Sequence, residues 1–497
     1  MTYNIAMGTW HDASIASVQN GDLKLLVESE RYSHIKHDHM SQVCLEEFEK
    51  QNCGDISECQ IAGLDQNSTH HLYHASHAFY DSGFKEAVCV IIDGMGSEVS
   101  LNTKDFLKGS YGRECISIYK LCYPSKVELI HRIVSTPFES DVIIEDKTQV
   151  CRVISPALMF QKTCQSWGMN WYDAGKLMAM SAYSNTNLDF NCQIFNVNDK
   201  DIRDVTLTKE FNSFQEKANF CKWMQNYTQE WVRRIVVQAV ELSGCYNVCL
   251  SGGYFLNCVS NSFIRKNISQ KVKIFIEPIC SDSGTPIGLA KNKWYEKTQS
   301  KKIKPLKNVF FGIERENKID GHKVNVNTVA KLLSQRKVVA MFQGRSECGP
   351  RALGNRSILY DPRDPQGREK INRLKGREDY RPLAGTVLFE QAYKWFDMSY
   401  IKESPYMLYN LDVISDQIPA VCHVDNTCRV QTIKKSFNKN FYNLLYQFYK
   451  ITGVPVLLNT SFNLAGDTIV ETIDDALKTF SKSDIDYLYF PEQGVLL

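Results

Sequence analysis

The sequence predicts an α/β protein, and three features carry the prediction. Short apolar runs end in polar or glycine-rich turns, as the buried strands of a parallel or mixed sheet do. Stretches with helical spacing lie between those runs, which is the alternation typical of α/β proteins. With 497 residues and no fixed-period repeat, the chain is long enough for two or three domains.

Five apolar runs are predicted to be strands, and each leads into a polar turn. In chain order they are 86–92 before Asp93-Gly94-Met95-Gly96, 246–250 before Ser251-Gly252-Gly253, 271–276 before Asp282-Ser283-Gly284, 338–342 before Gln343-Gly344-Arg345, and 454–458 before Asn459-Thr460-Ser461. Residues 229–242 and 474–480 are predicted to be helices. Because α/β proteins bind ligands just past strand ends, we expect site residues in these turns.

The basic, proline-containing segment 297–307 has no clear period and is the predicted linker. It divides the chain into a first domain of residues 1–300 and a second of residues 301–497.

The composition excludes several classes of protein. Lys and Arg number 58 and Asp and Glu 56, which argues against a protein that coats polyanions and disfavours a nucleic-acid partner. The sequence has no run of about 18 apolar residues and no signal peptide, so we expect a cytoplasmic protein without a membrane span. The 17 cysteines are scattered and odd in number, which favours free, mostly buried thiols over disulfides.

A histidine cluster is the first candidate site. Four of the 11 histidines fall between residues 70 and 77. His70 and His74 are four residues apart and share one helix face, a spacing that can present two imidazoles to one metal ion. With Asp93 and Asp282, each just past a strand, they would form an N2O2 site for a divalent transition metal. Packing histidines and turn aspartates remain the simpler alternative.

Three turns indicate a ligand site less strongly. Two are glycine-rich, at 93–97 and 250–253, and the third is a polar turn at 11–14. Glycine lets backbone N–H groups approach phosphate oxygens closely. Neither glycine turn matches a P-loop or a Rossmann fingerprint, so tight turns without a ligand remain the alternative.

The segment 343–381 is the second candidate site. From Arg345 to Arg381 it carries eight Arg and two Lys against six acidic residues, punctuated by Gly and Pro. Arginines on stiff turns are suited to bidentate binding of phosphate or carboxylate groups. The segment lacks the interleaved aromatic residues of an RNA-binding surface, so a small anion such as a nucleotide fits better.

Together these segments resemble the O-carbamoyltransferases of the nodulation-factor, cephamycin and tobramycin type, over nearly the whole length. The matching blocks are HDAS (11–14), ESERYSHIKHD (28–38), HHLYHASHAFY (70–80), DGMG (93–96), DAGKLMAMSAYS (173–184), LSGGYFLNCVSN (250–261), DSGTPIGLA (282–290), FQGRSECGPRALGNRSIL (342–359), NRLKGREDYRPLA (372–384) and NTSFNLAGDTIVET (459–472). The string around GPRALGNRSIL is highly specific.

The resemblance implies a first domain like the universal tRNA-threonylcarbamoylation protein, of the actin-like ATPase type, and an α/β second domain that forms carbamoyl-adenylate from carbamoyl phosphate and ATP. The first domain would then transfer the carbamoyl group to an acceptor hydroxyl of a sugar, a natural product or a modified nucleoside. The implied cofactors are ATP, Mg²⁺ and Fe²⁺, although His and Asp ligands also suit other divalent transition metals.

Carried onto this sequence, the family's metal ligands fall on His70, His74, Asp93 and Asp282. His11 and Lys36 match catalytic positions of the first domain, and Arg351 and Arg356 match catalytic positions of the second. The nucleotide- and anion-binding positions are Ser251, Gly252, Gly253 and Asn257 in the first domain and Arg345, Asn355, Lys375, Arg377, Arg381, Asn459, Ser461 and Asn463 in the second.

Three departures from the family concern the shape of the pockets: Ala179 and His77 stand where the family has glycine and a small residue, and residues 381–386 read RPLAGT instead of RPFAPS. Two other functions remain as alternatives, a threonylcarbamoyl transferase acting on tRNA and a non-catalytic nucleotide-binding module. The acceptor, the general base and a homodimeric state stay open.

Overall fold

The computed structural model describes residues 3–62, 69–101, 111–137, 141–144, 147–198, 201–314 and 318–497. The chain divides into two compact units. Unit 1 comprises Met1–Lys24 and Asn52–Leu306, and unit 2 comprises Leu25–Gln51 and Lys307–Leu497. The later boundary falls in the segment predicted as the linker. Residues 25–51 belong to unit 2, although the sequence-based division at residue 300 places them in the first domain.

The strands are β1 (Tyr3–Gly8), β2 (Ser14–Gln19), β3 (Asp22–Glu28), β4 (Gln60–Ala62), β5 (Glu86–Ile92), β6 (Glu98–Ser100), β7 (Tyr111–Cys122), β8 (Lys126–Ser135), β9 (Asp141–Ile144), β10 (Thr148–Cys151), β11 (Phe195–Asn198), β12 (Asp201–Leu207), β13 (Asn247–Ser251), β14 (Lys273–Ile276), β15 (His322–Lys323), β16 (Val339–Phe342), β17 (Arg356–Tyr360), β18 (Ala384–Leu388), β19 (Tyr409–Asp412), β20 (Thr427–Ile433), β21 (Val456–Ser461), β22 (Tyr487–Phe490) and β23 (Val495–Leu496).

The helices are α1 (Glu30–Ser33), α2 (Gln42–Glu49), α3 (His70–Ser82), α4 (Pro156–Ser166), α5 (Ala174–Met180), α6 (Phe214–Ser243), α7 (Cys258–Lys266), α8 (Thr285–Thr298), α9 (Val326–Ser334), α10 (Gly367–Lys375), α11 (Lys439–Thr452) and α12 (Ile473–Ser481).

Unit 1 contains a sheet with strand order β14-β13-β5-β7-β8-β10-β9, and β6 pairs with β7. In a second sheet β1 is antiparallel to β2 and parallel to β4. The three strands β5, β13 and β14 are neighbours and run parallel. Since parallel strands end at the same edge of a sheet, the turns after β5, β13 and β14 lie close together.

Unit 2 is built on a sheet with strand order β15-β23-β22-β16-β17-β21-β18-β20-β19. All residues of β16, β17 and β18 are buried. The predicted strands at 338–342 and 454–458 correspond to β16 and β21, and the predicted helix at 474–480 corresponds to α12. The α/β class is therefore confirmed, with β5, β13 and β14 accounting for the other three predicted strands.

Helix α6 is longer than predicted. It has 30 residues and begins at a capping box formed by Ser213 and Glu216, whereas the apolar spacing indicated only residues 229–242. Its first half also buries polar residues, among them Asn219 and Gln225, and these break the apolar period on which the prediction depended.

All 17 cysteines lie in the described part of the chain and are free thiols, as predicted. Among the helices that the structure describes, none is both long enough and apolar enough to cross a membrane.

Residues 25–51 are anchored in unit 2 by buried polar contacts. The Leu26 N–H donates to the Phe311 carbonyl over 2.9 Å. The Gly349 N–H donates to the Glu28 carboxylate over 3.1 Å, and Arg31 Nη2 donates to the Gly349 carbonyl over 2.8 Å. Arg31 is only 2% exposed. The ESER block at 28–31 therefore holds the loop that contains the GPRALG string.

Replacing Arg31 by methionine is expected to destabilise unit 2 by about 3–5 kcal/mol, because the substitution leaves the buried Glu28 carboxylate without its cation. Chemical denaturation followed by tryptophan fluorescence measures the loss. The matched control is Arg234→Met, whose guanidinium pairs with Glu230 at the surface and should contribute less than about 1 kcal/mol. Equal effects of the two substitutions would contradict the anchoring role of Arg31.

Candidate functional site

Unit 1 brings together the four predicted metal ligands. His70 and His74 lie one helical turn apart on α3, as the spacing predicts. Asp93 follows β5, and Asp282 begins the short 3₁₀ turn Asp282–Gly284 between β14 and α8. One ligand atom from each of these residues lies within 4.8 Å of the other three.

The distances in this cluster suit a metal ion. His70 Nε2 lies 3.3 Å from Asp93 Oδ2 and 3.5 Å from Asp282 Oδ1, and His74 Nε2 lies 3.3 Å from Asp282 Oδ1. Ligand atoms about 2.0–2.1 Å from a tetrahedral metal are separated by about 3.3–3.4 Å. His74 Nε2 is buried and makes no hydrogen bond. The donor set therefore fits a divalent transition metal.

Electrostatics favour a cation in the same place. Burial disfavours protonation of His70, but the carboxylates of Asp282 and Asp93 outweigh it and raise the pKa of His70 to about 10. Burial likewise opposes ionisation of Asp282, yet His70 and His11 hold the pKa of that carboxyl well below its usual range. Two ionised carboxylates thus face the imidazoles, so a divalent cation would be stabilised there.

Neighbouring groups orient the ligands. The Ser251 hydroxyl lies 3.4 Å from His74 Nδ1, and the Gly253 N–H donates to Asp93 Oδ1 over 3.3 Å. Contacts of this kind fix the rotamer and tautomer of a metal ligand. Ser251, Gly252 and Gly253, which the resemblance assigns to a nucleotide loop, therefore lie against the cluster of predicted metal ligands. Asn257 caps α7 by accepting a hydrogen bond from the Ser260 N–H over 3.0 Å.

Gly252 permits this close approach. Its φ is +99°, and a Cβ on it would lie 2.3 Å from the carbonyl oxygen of Ile92, the residue before Asp93. Gly252→Ala is therefore expected to displace the Asp93 turn and to lower the metal occupancy of the His70/His74/Asp93/Asp282 site well below that of the wild type. Gly244→Ala is the matched control, because Gly244 also has a positive φ but a Cβ there meets open space. Metal analysis of both variants tests the prediction, which fails if they retain equal metal.

His11 lies beside the cluster. Its Nε2 is 3.4 Å from Asp282 Oδ2, and the rings of Trp171 and Tyr172 have centroids 5.8 and 5.5 Å from its own. Burial opposes protonation, but Asp282 and Asp12 outweigh it and raise the pKa of His11 to about 9. With this pKa, His11 holds a proton at neutral pH next to the predicted metal ligands.

Unit 2 contains a cationic cluster around Lys375, the last residue of α10. Lys375 is fully buried, and its Nζ donates to Asn463 Oδ1 over 2.8 Å and also contacts the backbone and hydroxyl oxygens of Ser461. Burial, Arg377, Arg381 and Lys36 together hold the pKa of Lys375 well below its usual range. Mutually repelling cations at a buried site are stabilised when an anion binds between them.

Lys36 is therefore one of the cations that lower the pKa of Lys375. It belongs to unit 2, although the resemblance assigns it to the first domain. Burial, Arg381 and Arg429 lower the pKa of Arg377 to about 9. Arg429, on β20, was not among the predicted site residues. The arginine stands alone in an otherwise ordinary strand sequence, so no local motif marks it.

Several residues that were predicted to bind an anion instead donate their hydrogen bonds to other atoms of the protein. Arg356 is fully buried, stacks on Phe342, and donates to backbone carbonyls, including that of Gln343 over 2.6 Å. Arg345 donates to the carbonyls of residues 311 and 312. In the same way, the Asn355 amide donates to the Arg345 carbonyl and accepts from Asn438. The Asn459 amide donates to Thr386 and Gln431.

The loop 347–356 is held by hydrogen bonds to a buried carboxylate, that of Glu347, which was not among the predicted site residues. Glu347 is fully buried and accepts hydrogen bonds from the N–H groups of Leu353, Asn355 and Arg356 over 2.5, 3.2 and 3.3 Å. The half-buried Arg351 lies in the loop that these bonds hold. Arg345, Asn355, Arg356 and Asn459 thus form the frame of the second candidate site.

Two family models match the chain. "Carbamoyltransferase N-terminus" matches residues 47–291, and "Carbamoyltransferase C-terminus" matches residues 330–495. The chain therefore belongs to the carbamoyltransferase family, and it is a transferase enzyme.

Among curated proteins, the chain is 31% identical to nodulation protein NolNO of Sinorhizobium fredii, covering 84% of this chain and 62% of that protein. It is 28% identical to nodulation protein NolO of Bradyrhizobium diazoefficiens, covering 84% and 77%. An uncharacterised protein of Synechocystis is 29% identical, covering 88% and 78%. Of solved structures, HypF of T. kodakarensis matches with a TM-score of 0.34 and 14% identity, covering 59% of this chain and 48% of that one.

Proposed function

We propose that the protein is an ATP-dependent O-carbamoyltransferase with two reaction centres. Unit 2 would form carbamoyl-adenylate at the Lys375 cluster, and unit 1 would transfer the carbamoyl group at the His70/His74/Asp93/Asp282 cluster. The observation that supports the proposal is the presence of both clusters, one of buried cations and one of His and Asp side chains with metal-ligand spacing, in a single chain of the carbamoyltransferase family.

The first reaction begins with carbamoyl phosphate. Hydrolysis of its phosphate bond consumes one water and gives carbamate and inorganic phosphate. A carbamate oxygen then attacks the α-phosphorus of ATP, supplied as its Mg²⁺ complex, and pyrophosphate leaves. Lys375, Arg377, Arg381 and Arg429 would stabilise the negative charge on the phosphate oxygens. Ser461 and Asn463 hold the Lys375 ammonium in position.

In the second reaction the acceptor hydroxyl attacks the carbamoyl carbon, AMP leaves, and the hydroxyl proton must be taken up. A divalent cation bound next to His11 would disfavour its protonated form. The neutral His11 imidazole is the proposed proton acceptor, because its Nε2 lies next to Asp282. A metal ion bound by His70, His74, Asp93 and Asp282 would polarise the carbamoyl carbonyl. Ser251 and Gly253 would keep two of these ligands in place.

The acceptor is proposed to be a small molecule or nucleoside that presents a hydroxyl group. Wild-type protein is incubated with ATP, Mg²⁺, carbamoyl phosphate and a panel of monosaccharides, aminoglycosides and nucleosides, with tRNA in a separate arm. Mass spectrometry follows the carbamoylated product, and a coupled assay follows pyrophosphate. We expect pyrophosphate release that requires carbamoyl phosphate. Release of pyrophosphate only with tRNA present would contradict the proposal and favour a tRNA-modifying enzyme.

A further inference from the structure

Helix α3 carries a second buried cluster, one turn beyond the metal ligands. His77 and Asp81 lie four residues apart on this helix, and Glu277 follows β14. All three side chains are fully buried, and one ligand atom from each lies within 4.8 Å of the other two. His77 is also one of the positions at which the sequence departs from the carbamoyltransferase family it resembles.

The hydrogen-bonding groups around His77 are not all satisfied. Its Nε2 lies 3.2 Å from Asp81 Oδ2 and 3.4 Å from Glu277 Oε1. A ring nitrogen carries at most one proton, so it can donate to only one of these oxygens. His77 Nε2, Asp81 Oδ2 and Glu277 Oε2 all lack a hydrogen-bond partner. An unpaired polar group in a buried site is destabilising, so these groups are expected to bind a further ligand.

We propose that His77, Asp81 and Glu277 form a second metal site, which binds a divalent cation of the zinc type through one imidazole and two carboxylates. Distances of 3.2 and 3.4 Å between the ligand atoms agree with the spacing of about 3.3–3.4 Å around a tetrahedral metal. The two carboxylates would supply negative charge against a divalent ion, which a buried imidazole alone could not. Because Asp81 also pairs with Lys291, Glu277 is the carboxylate of this cluster without another cation among the described residues.

Outer contacts hold the two carboxylates in position. Lys291, on α8, donates to the other oxygen of Asp81, Oδ1. The Ile279 N–H donates to Glu277 over 3.2 Å. Ligating carboxylates typically have such partners. A cation here would join α3 to the segment after β14 and, through Lys291, to α8. The bound cation would therefore stabilise the position of helix α3, which carries His70 and His74, whatever reaction takes place at those residues.

The test is a count of bound metal. Wild-type protein is produced in zinc-supplemented medium, and all first-row transition metals are measured by mass spectrometry. We expect about two equivalents in the wild type and about one in either Glu277→Gln or Asp93→Asn, with none in the double variant. The matched control is Glu114→Gln, which changes another fully buried carboxylate of unit 1 and should keep two equivalents.

Crystals of the wild type supply a second measurement, which does not depend on whether Glu277→Gln folds. An anomalous difference peak between His77, Asp81 and Glu277 at the zinc edge is the expected result. Absence of that peak from zinc-loaded crystals, or a wild-type content of one equivalent that Asp93→Asn abolishes, would overturn the proposal. Lys291 would then be the cation of this cluster. Neither measurement uses the carbamoyl-transfer reaction. A negative result for this second metal site would therefore leave the proposed function untouched, and the reverse also holds.

Discussion

Replacing Asp93 by asparagine is expected to remove the metal of the His70/His74 site and to lower carbamoyl transfer by about 100-fold or more. The substitution keeps the size of the side chain but removes one of the two carboxylates that face the imidazoles. Formation of carbamoyl-adenylate should continue, because the Lys375 cluster belongs to unit 2. The variant should therefore accumulate the adenylate and release less AMP than the wild type.

Metal analysis and quantification of carbamoyl-adenylate and AMP check this expectation. His71→Ala is the matched control. His71 is also fully buried on α3, but its Nδ1 lies 2.7 Å from the Ser117 hydroxyl, outside the ligand cluster. The control should retain the metal and the transfer. Loss of adenylate formation in Asp93→Asn, with the fold intact, would contradict the separation of the two reactions.

Replacing Lys375 by methionine is expected to lower carbamoyl-adenylate formation by about 100- to 1,000-fold, the loss typical when one preorganised group that stabilises developing charge is removed. Methionine fills a similar volume but supplies no positive charge. The side chain is fully buried among oxygens of Ser461 and Asn463 and beside other cations, so no exposed lysine can replace it. Metal content of unit 1 should not change.

The assay for this variant measures pyrophosphate release with ATP, Mg²⁺ and carbamoyl phosphate. Lys370→Met is its control, since Lys370 lies on the same helix but is exposed and stacks on Tyr360. Wild-type rates are expected for Lys370→Met. Similar losses in both variants would indicate a general effect of charge rather than a binding role for Lys375.

The residues of the His70/His74/Asp93/Asp282 cluster could be proposed as one site because their signals are local. A spacing of four residues places His70 and His74 on one helix face, and apolar runs that end in polar turns identified Asp93 and Asp282. The parallel order of β5, β13 and β14 then brings those turns to one sheet edge. The pattern of the sequence does not contain that order. It could therefore propose the four residues as one site, and the resemblance gave the same four, but only the fold brings their turns together.

The second candidate site was harder to predict, because residue type does not reveal which way a side chain points. Arg356 and Asn459 are of the types that bind anions, yet both are fully buried and bonded to protein atoms. Arg429 reaches the cationic cluster from a strand distant in sequence. Glu347 works as an internal acceptor for three N–H groups, a role that only the folded loop defines.

The most direct test of the two-centre account is to measure carbamoyl-adenylate by mass spectrometry in the wild type, Asp93→Asn and Lys375→Met, each supplied with ATP, Mg²⁺ and carbamoyl phosphate. The account predicts adenylate and pyrophosphate from the wild type and from Asp93→Asn and almost none from Lys375→Met. Adenylate formation that survives Lys375→Met but is lost in Asp93→Asn, or no adenylate from the wild type, would contradict it.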